Sequence, residues 1–89
     1  MMRSIVIRFA ESLAVRSRDL DQALTDSDLE RLSSMAHQLK GTAGGYGFDS
    51  IGHAAADLER ETLSMESDLS SIRERVEDLI TLCRAATVR

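Results

Sequence analysis

The chain has 89 residues, which is enough for one domain with a modest hydrophobic core and too few for two. Acidic residues outnumber basic ones by 15 to 11, and the only aromatic residues are two Phe and one Tyr, which argues against nucleic-acid binding. Proline is absent, and Leu, Ala, Arg, Glu and Ser are abundant. We therefore predict an all-α fold, organised as a single domain over residues 1–89.

The N-terminal segment indicates neither export nor membrane insertion. The apolar part of Met1 to Ile7 is too short for a signal peptide or a membrane-spanning helix. We expect a cytoplasmic, monomeric domain that does not bind membranes. Cys83 is the only cysteine, so no internal disulfide can form.

The first predicted helix covers about Ser4 to Leu24, and its apolar ridge is interrupted by Arg16. The ridge consists of Ile5, Phe9, Leu13, Leu20 and Leu24. Thr25 to Asp28 is predicted as a turn. Ser27 and Glu30 have the spacing of a capping box, which predicts that Ser27 opens the second helix.

The second predicted helix continues to Gly44 or Gly45, where the glycines end it. Its apolar stripe consists of Leu29, Leu32, Ala36, Leu39 and Ala43. Asp49 or Ser50 is predicted to cap the third helix. The small residues early in that helix favour close packing on the second.

The apolar stripe of the third helix consists of Ile51, Ala54, Ala55, Leu58, Thr62 and Met65. Ser64 to Ser67 forms the last connection, and Ala86 to Arg89 is expected to fray. The stripe of the fourth helix consists of Leu69, Ile72, Val76, Leu79, Ile80 and Cys83. Four helices with short connections predict an antiparallel up-down-up-down four-helix bundle.

The segment Ala36 to Phe48 is the most unusual part of the sequence. It contains His37 and four of the five glycines, and no acidic residue occurs from Arg31 through Phe48. On a helix, His37 points about 130° away from the centre of the apolar stripe and therefore faces water. The residues that share its face are Ser33, Lys40, Gly41 and Gly44.

This arrangement favours a nucleophilic role for His37. Without the glycines, Lys40 and the acid-free segment, an ordinary solvated histidine would be the better interpretation. A neutral imidazole has a free lone pair and can attack phosphorus without an adjacent carboxylate base, so we expect no acid beside it. Lys40, one turn away, would reach a phosphoryl oxygen. Glycine inside a helix costs about 1 kcal/mol relative to Ala, and we attribute Gly41 and Gly44 to the close approach of a large partner.

Other candidate sites are weaker. His53 is expected to be a solvated bystander, and two histidines with one core-facing cysteine do not form a metal site at these spacings. Met35 and Met65 are interpreted as core or boundary packing. Tyr46 and Phe48 are either partner-facing anchors or, more commonly at such a position, a hydrophobic contact at a helix end. Catalytic triads, P-loops and dinucleotide-binding motifs are absent from the sequence.

The run His37-Gln38-Leu39-Lys40-Gly41, followed by Gly44 and Gly47-Phe48, resembles the signature of histidine-containing phosphotransfer (HPt) domains of bacterial phosphorelays. Ala36 and the run Ile51 to Leu58-Glu59 are also similar to that family, whose members are antiparallel four-helix bundles of about this length.

The resemblance implies a phosphoryl carrier without autokinase activity. His37 would accept the phosphoryl group from a receiver-domain phospho-aspartate or a histidine kinase, including a hybrid kinase, and pass it to a response-regulator aspartate. Lys40 would stabilise the negative charge of the phosphoryl group. The residues expected to face the partner are Ser33, Gly41 and Gly44. Gln38 would either contact the partner as well or be a solvated surface residue without a role in binding. No cofactor is expected on this chain, and the resemblance places Mg²⁺ on the receiver.

Two alternatives stay open, and a third is disfavoured. The chain could be a structural helical-bundle adaptor or dimerisation module, in which the glycines serve helix packing. A phosphotransfer domain of a chemotaxis-type kinase shares a similar motif but usually has a further helix. The dimerisation helices of a histidine kinase are disfavoured because no proline follows His37.

Overall fold

The computed structural model describes the backbone of residues 2–87 and the side chains of residues 8, 9 and 11–86. It contains four helices, and their bounds are α1 Met2–Thr25, α2 Leu29–Gly45, α3 Asp49–Leu63 and α4 Leu69–Thr87. The molecule is elongated, with extents of 43 × 20 × 17 Å. None of the described helices is both long enough and apolar enough to cross a membrane.

The helices form an antiparallel four-helix bundle, as predicted. Each helix packs against its neighbours in the chain, and α1 closes the ring against α4. One core runs along the inside, and its largest fully buried side chains are Leu13, Leu20, Leu32, Leu39, Leu58, Val76, Leu79 and Cys83. Burial of one such aliphatic side chain contributes about 1.5 to 3 kcal/mol, so this core accounts for most of the favourable energy of folding.

The ridge predicted for α1 is largely confirmed, because Phe9, Leu13 and Leu20 lie in the core and Leu24 is partly buried against it. Ile5 lies outside the described side chains. Arg16, which interrupts the ridge, places its guanidinium 5.7 Å from the centre of the Phe9 ring. The next residue, Ser17, is buried, and its hydroxyl donates to the Leu13 carbonyl. The polar group that enters the core at this point is therefore hydrogen-bonded.

The capping box predicted for Ser27 is wrong. Ser27 has φ of 54° and closes α1: its N–H donates to the Leu24 carbonyl, and the Asp28 N–H donates to the Ala23 carbonyl. These two bonds define a Schellman motif. Asp28 is the N-cap of α2, and its carboxylate accepts from the Arg31 N–H at 3.1 Å. Ser27 cannot cap α2 because the connection is so short that this residue is already used to end α1.

A second Schellman motif ends α2. Gly47 has φ of +83°, its N–H donates to the Gly44 carbonyl, and the Phe48 N–H donates to the Ala43 carbonyl. Phe48 occupies the N-cap position of α3 and makes no side-chain cap bond. The prediction that Asp49 or Ser50 caps α3 is therefore wrong: α3 begins at Asp49, immediately after the Schellman motif.

Tyr46 and Phe48 form a hydrophobic contact at this end of the bundle. Their ring centroids lie 5.0 and 5.5 Å from that of Phe9, and both residues are half-buried against the core. The interpretation of these residues as a helix-end contact is confirmed, and α1 is tied to the α2–α3 turn.

Three predicted stripe positions are exposed instead of buried. Met65 is fully exposed, and Leu69 and Leu29 are 51% and 36% exposed. Met65 follows the end of α3, so helical periodicity no longer places it inwards. Leu29 and Leu69 are the first residues of α2 and α4, where the helices extend beyond the core. Met35 is half-buried against the core, as predicted for boundary packing.

α2 and α3 lie close together at Gly52. A Cβ atom on Gly52 would lie 3.5 Å from the Lys40 carbonyl oxygen and 3.6 Å from the Gly44 backbone nitrogen. The prediction that small residues early in α3 allow close packing on α2 is thus borne out by the structure. This contact fixes the antiparallel register of the two helices that carry the candidate site.

Candidate phosphotransfer site

The exposure of His37 follows from the packing of α2. Leu32, Ala36, Leu39 and Ala43 are buried, and their spacing turns the opposite face of the helix towards solvent. The His37 side chain is 68% exposed, and that of Lys40, one turn later, is 43% exposed.

Glu59 on α3 joins these two side chains. One carboxylate oxygen lies 2.9 Å from Nδ1 of His37, and the other accepts from Nζ of Lys40 at 2.7 Å. The Glu59 side chain is only 17% exposed. A single carboxylate therefore fixes two residues of α2 from the neighbouring helix.

The expectation that no acid lies beside His37 is wrong. The acid-free segment describes neighbours along the chain, whereas Glu59 is 22 residues away and reaches His37 across the α2–α3 interface. The alignment of α2 with α3 explains why Glu59 reaches His37, and this alignment is fixed where Gly52 lies against Gly44. In antiparallel helices, moving back seven residues on α2 and forward seven on α3 pairs residue 37 with residue 59.

The hydrogen bond from Lys40 lowers the pKa of Glu59 below its ordinary value of 4.5, and the bond with His37 acts in the same direction. Partial burial opposes both effects. The carboxylate is therefore anionic at neutral pH. An anionic carboxylate only accepts hydrogen bonds, so Nδ1 of His37 must be the donor.

The tautomer of His37 follows from this contact. With its proton on Nδ1, the neutral imidazole carries its lone pair on Nε2. Among the described residues, none forms a hydrogen bond with Nε2. The ring is thus oriented by one nitrogen and leaves the other available as a nucleophile.

The structure places the other predicted site residues around His37 with one exception. Ser33 and His37 line the same groove, together with Glu59 and Thr62. Gly41 and Gly44 are exposed, and a Cβ atom on either would meet nothing within 4 Å. Gln38 lies instead in a separate depression beside Asp28 and Arg31.

The remaining reactive side chains form no second site in the described part of the chain. His53 is exposed, as expected of a solvated bystander. Burial raises the pKa of the Cys83 thiol to about 11, so it stays protonated and unreactive at neutral pH. Within residues 2–87, no group of three His, Cys, Asp or Glu side chains is arranged to hold a metal ion.

An antiparallel four-helix bundle that presents an oriented, exposed histidine has the architecture of a phosphoryl carrier. The Hpt domain family model matches residues 4–86, and the chain belongs to this family. No curated protein and no solved structure matches significantly. Hpt domains carry out histidine phosphotransfer in phosphorelays and interact there with receiver domains and kinases.

Proposed function

We propose that this protein is a phosphorelay carrier in which Nε2 of His37 is the phosphoryl acceptor. The observation that carries the proposal is the hydrogen bond between His37 and Glu59, 2.9 Å long. It fixes the tautomer that leaves the lone pair on Nε2, on a side chain that is mostly exposed.

The transfer exchanges one bond for another. Nε2 attacks the phosphorus of a receiver phospho-aspartate, the N–P bond forms, and the bond between phosphorus and the aspartate oxygen breaks. The aspartate leaves as a carboxylate. The proton on Nδ1 stays in place, so the phosphorylated ring becomes cationic. The reverse exchange delivers the phosphoryl group to a response-regulator aspartate.

Glu59 has two roles in this proposal. Its carboxylate orients the imidazole before the reaction, and it stabilises the positive charge that develops on the ring as the N–P bond forms. Because the carboxylate is already hydrogen-bonded to Lys40, it needs little rearrangement during the reaction. Glu59 is therefore proposed as a positioning residue that acts through His37.

Lys40 is proposed to stabilise the phosphoryl oxygens. Its ammonium has three donors, and the bond to Glu59 uses one of them. The others can reach an oxygen of the phosphoryl group on the neighbouring His37. Since the side chain is 43% exposed, we expect a contribution near 1 kcal/mol, as for charges screened by water.

The partner supplies the remaining chemistry. The sequence contains no P-loop or other nucleotide-binding motif, so a receiver domain or a histidine kinase must provide the phosphoryl group. In the proposal, Mg²⁺ and the groups that activate the aspartate belong to the receiver, and this chain supplies an oriented nucleophile.

The test is to incubate the protein with receiver domains loaded with acetyl phosphate. The proposal predicts that phosphate appears on the protein, is labile in acid and stable in base, and maps to His37. A phosphate stable in acid, or one mapped to another residue, would contradict it. Absence of transfer from every receiver and from histidine kinases would favour the structural adaptor.

A further inference from the structure

Four of the five exposed large hydrophobic side chains in the described part of the chain lie at one end of the bundle. This end, the turn end, holds the α1–α2 and α3–α4 connections and comprises residues 24–30 and 63–70. Its exposed apolar side chains are Leu29, Leu63, Met65 and Leu69. The first two adjoin the groove of His37, whereas Met65 and Leu69 belong to the α3–α4 connection and the start of α4.

Met65 and Leu69 do not contribute to the core. Met65 is fully exposed, and Leu69 is 51% exposed. Single exposed apolar side chains are ordinary on a soluble protein. A group of them at one end of a small domain indicates instead a surface that another molecule covers.

The turn end is also strongly acidic. Residues 19–30 and 61–72, which include the connections and the adjoining helix turns, contain eight acidic residues and no Lys or Arg. Two of the eight carboxylates lie 4.0 Å from an arginine of a neighbouring helix. The other six form no ion pair with any described side chain, and they are Asp21, Asp26, Asp28, Glu30, Glu66 and Asp68. This end therefore has a negative potential that the bundle itself does not neutralise.

Two of these carboxylates have a structural role. Asp28 caps α2, and Asp68 accepts from the Ser71 N–H at 2.9 Å in the first turn of α4. Glu66 differs from them, because only its backbone N–H is used, in a bond to Ser64. Its carboxylate, next to Met65, adds to the repulsion among the neighbouring acids. The negative charge at this end thus exceeds what the helix caps require.

The charge and the size of the turn end select the kind of partner. Negative charge repels nucleic acids and anionic lipids and attracts Lys and Arg side chains. A symmetric contact with a second copy would bring two acidic ends together, which like-charge repulsion opposes. The molecule is 20 × 17 Å across, so its end is smaller than the roughly 800 Å² that a globular partner covers in a standard interface. A helix of about 12 residues is roughly 18 Å long and spans this end.

We infer that the turn end is the docking surface for a short, basic amphipathic helix of a partner protein. The apolar face of that helix covers Met65 and Leu69, and its Lys and Arg side chains pair with the acids beside them. Leu29, at the start of α2, precedes His37 by about two helical turns, or roughly 12 Å. A helix bound at this end leaves His37 exposed, so the inference does not depend on the proposed function.

The experiment titrates a synthetic helical peptide of about 14 residues, with Leu on one face and Lys on the other, into isotope-labelled protein. A Ser/Lys peptide of the same length and charge is the control ligand. We expect NMR shift changes at residues 26–30 and 64–70, and a Kd about tenfold higher in Met65→Ser and in Glu66→Lys. The matched control variants are Val15→Ser and Glu77→Lys, because both residues are exposed on helices away from the turn end. These should bind the Leu/Lys peptide like the wild type.

Equal affinity of the wild type for the two peptides would overturn the inference, because charge alone would then explain the binding. Equal losses in the turn-end variants and in the control variants would overturn it too, as would shift changes centred on His37. A wild-type dimer that Met65→Ser dissociates, seen by sedimentation, would assign the surface to self-association instead. Thermal melts confirm that these exposed substitutions keep the bundle folded.

Discussion

Glu59 determines how the two reactive side chains of α2 are presented. Its carboxylate bridges Nδ1 of His37 and Nζ of Lys40 at 2.9 and 2.7 Å. Without it, the imidazole would rotate freely and exchange between tautomers. The tautomer and the direction of the His37 ring both depend on this one residue, which lies on a different helix.

Glu59→Gln should slow phosphoryl transfer while the fold stays intact. The amide can still accept a hydrogen bond from Nδ1, but it no longer balances the charge of the phosphorylated ring. We expect a maximal rate about tenfold lower, which corresponds to roughly 1.4 kcal/mol of transition-state stabilisation. Glu61→Gln is the control, because Glu61 lies on the same helix and faces Arg75 instead. A wild-type rate in Glu59→Gln would show that the carboxylate plays no part in transfer.

Lys40→Ala should also slow transfer without loss of the bundle. It removes the cation that we assign to the phosphoryl oxygens and releases the hydrogen bond that lowers the pKa of Glu59. Each tenfold loss of rate corresponds to about 1.4 kcal/mol, so the contribution of about 1 kcal/mol assigned to Lys40 predicts a rate roughly fivefold lower. Rapid-quench measurements at saturating receiver test it, with Arg60→Ala as a nearby control because Arg60 pairs with Asp57. Equal rates in Lys40→Ala and wild type would leave Lys40 as a solvated neighbour.

The helices themselves were predictable, whereas their ends were only partly so. Leu32, Ala36, Leu39 and Ala43 repeat at three- and four-residue steps, and this pattern places α2 and its buried face correctly. The cap was misassigned because Ser27 and Asp28 both have capping side chains. Which of the two caps α2 depends on how α1 ends. Ser27 adopts a positive φ to end α1, and this conformation is set by the complete connection between the two helices.

Two substitutions in the α1–α2 connection should change the stability of the bundle in opposite directions. Asp28→Ala should destabilise the bundle by about 1 kcal/mol through loss of the cap bond to the Arg31 N–H. Ser27→Gly should stabilise it by up to about 1 kcal/mol, because glycine adopts positive φ without the steric cost that serine bears. Urea denaturation measures both changes. Destabilisation by Ser27→Gly with no effect of Asp28→Ala would restore Ser27 as the cap.

Gly44→Gln should raise stability and reduce transfer. Gly44 lies within α2, and its Cβ direction is open. Higher helix propensity and a less flexible unfolded chain predict stabilisation by a few tenths to about 1 kcal/mol. The added side chain stands on the face of His37 and hinders the receiver, so the half-saturating concentration should rise.

Gly52→Leu is the counterpart, since Gly52 packs against the backbone of α2 and a large side chain there should destabilise the bundle. Thermal melts and receiver titrations compare the two variants. A lower melting temperature for Gly44→Gln would mean that Gly44 serves helix packing, as the adaptor hypothesis requires.

The alignment of α2 and α3 within the bundle brings the residues of the site together. The sequence alone predicted His37, Lys40 and the open glycine face, because all of them lie on one helix and follow from its periodicity. Glu59 was missed because its contact with His37 depends on how α2 and α3 align, which Gly52 fixes through its approach to Lys40 and Gly44. A contact between helices follows from the fold, and periodicity within one helix does not encode it.

The role of His37 as phosphoryl acceptor is tested by measuring phosphoryl transfer from a phosphorylated receiver to His37→Gln, to His53→Gln and to the wild-type protein. Because His37 is mostly exposed and its contacts are polar, the variant should melt within a few degrees of wild type. We expect His37→Gln to accept no phosphate, whereas His53→Gln should accept it at the wild-type rate. Acid-labile phosphate on folded His37→Gln would contradict the assignment.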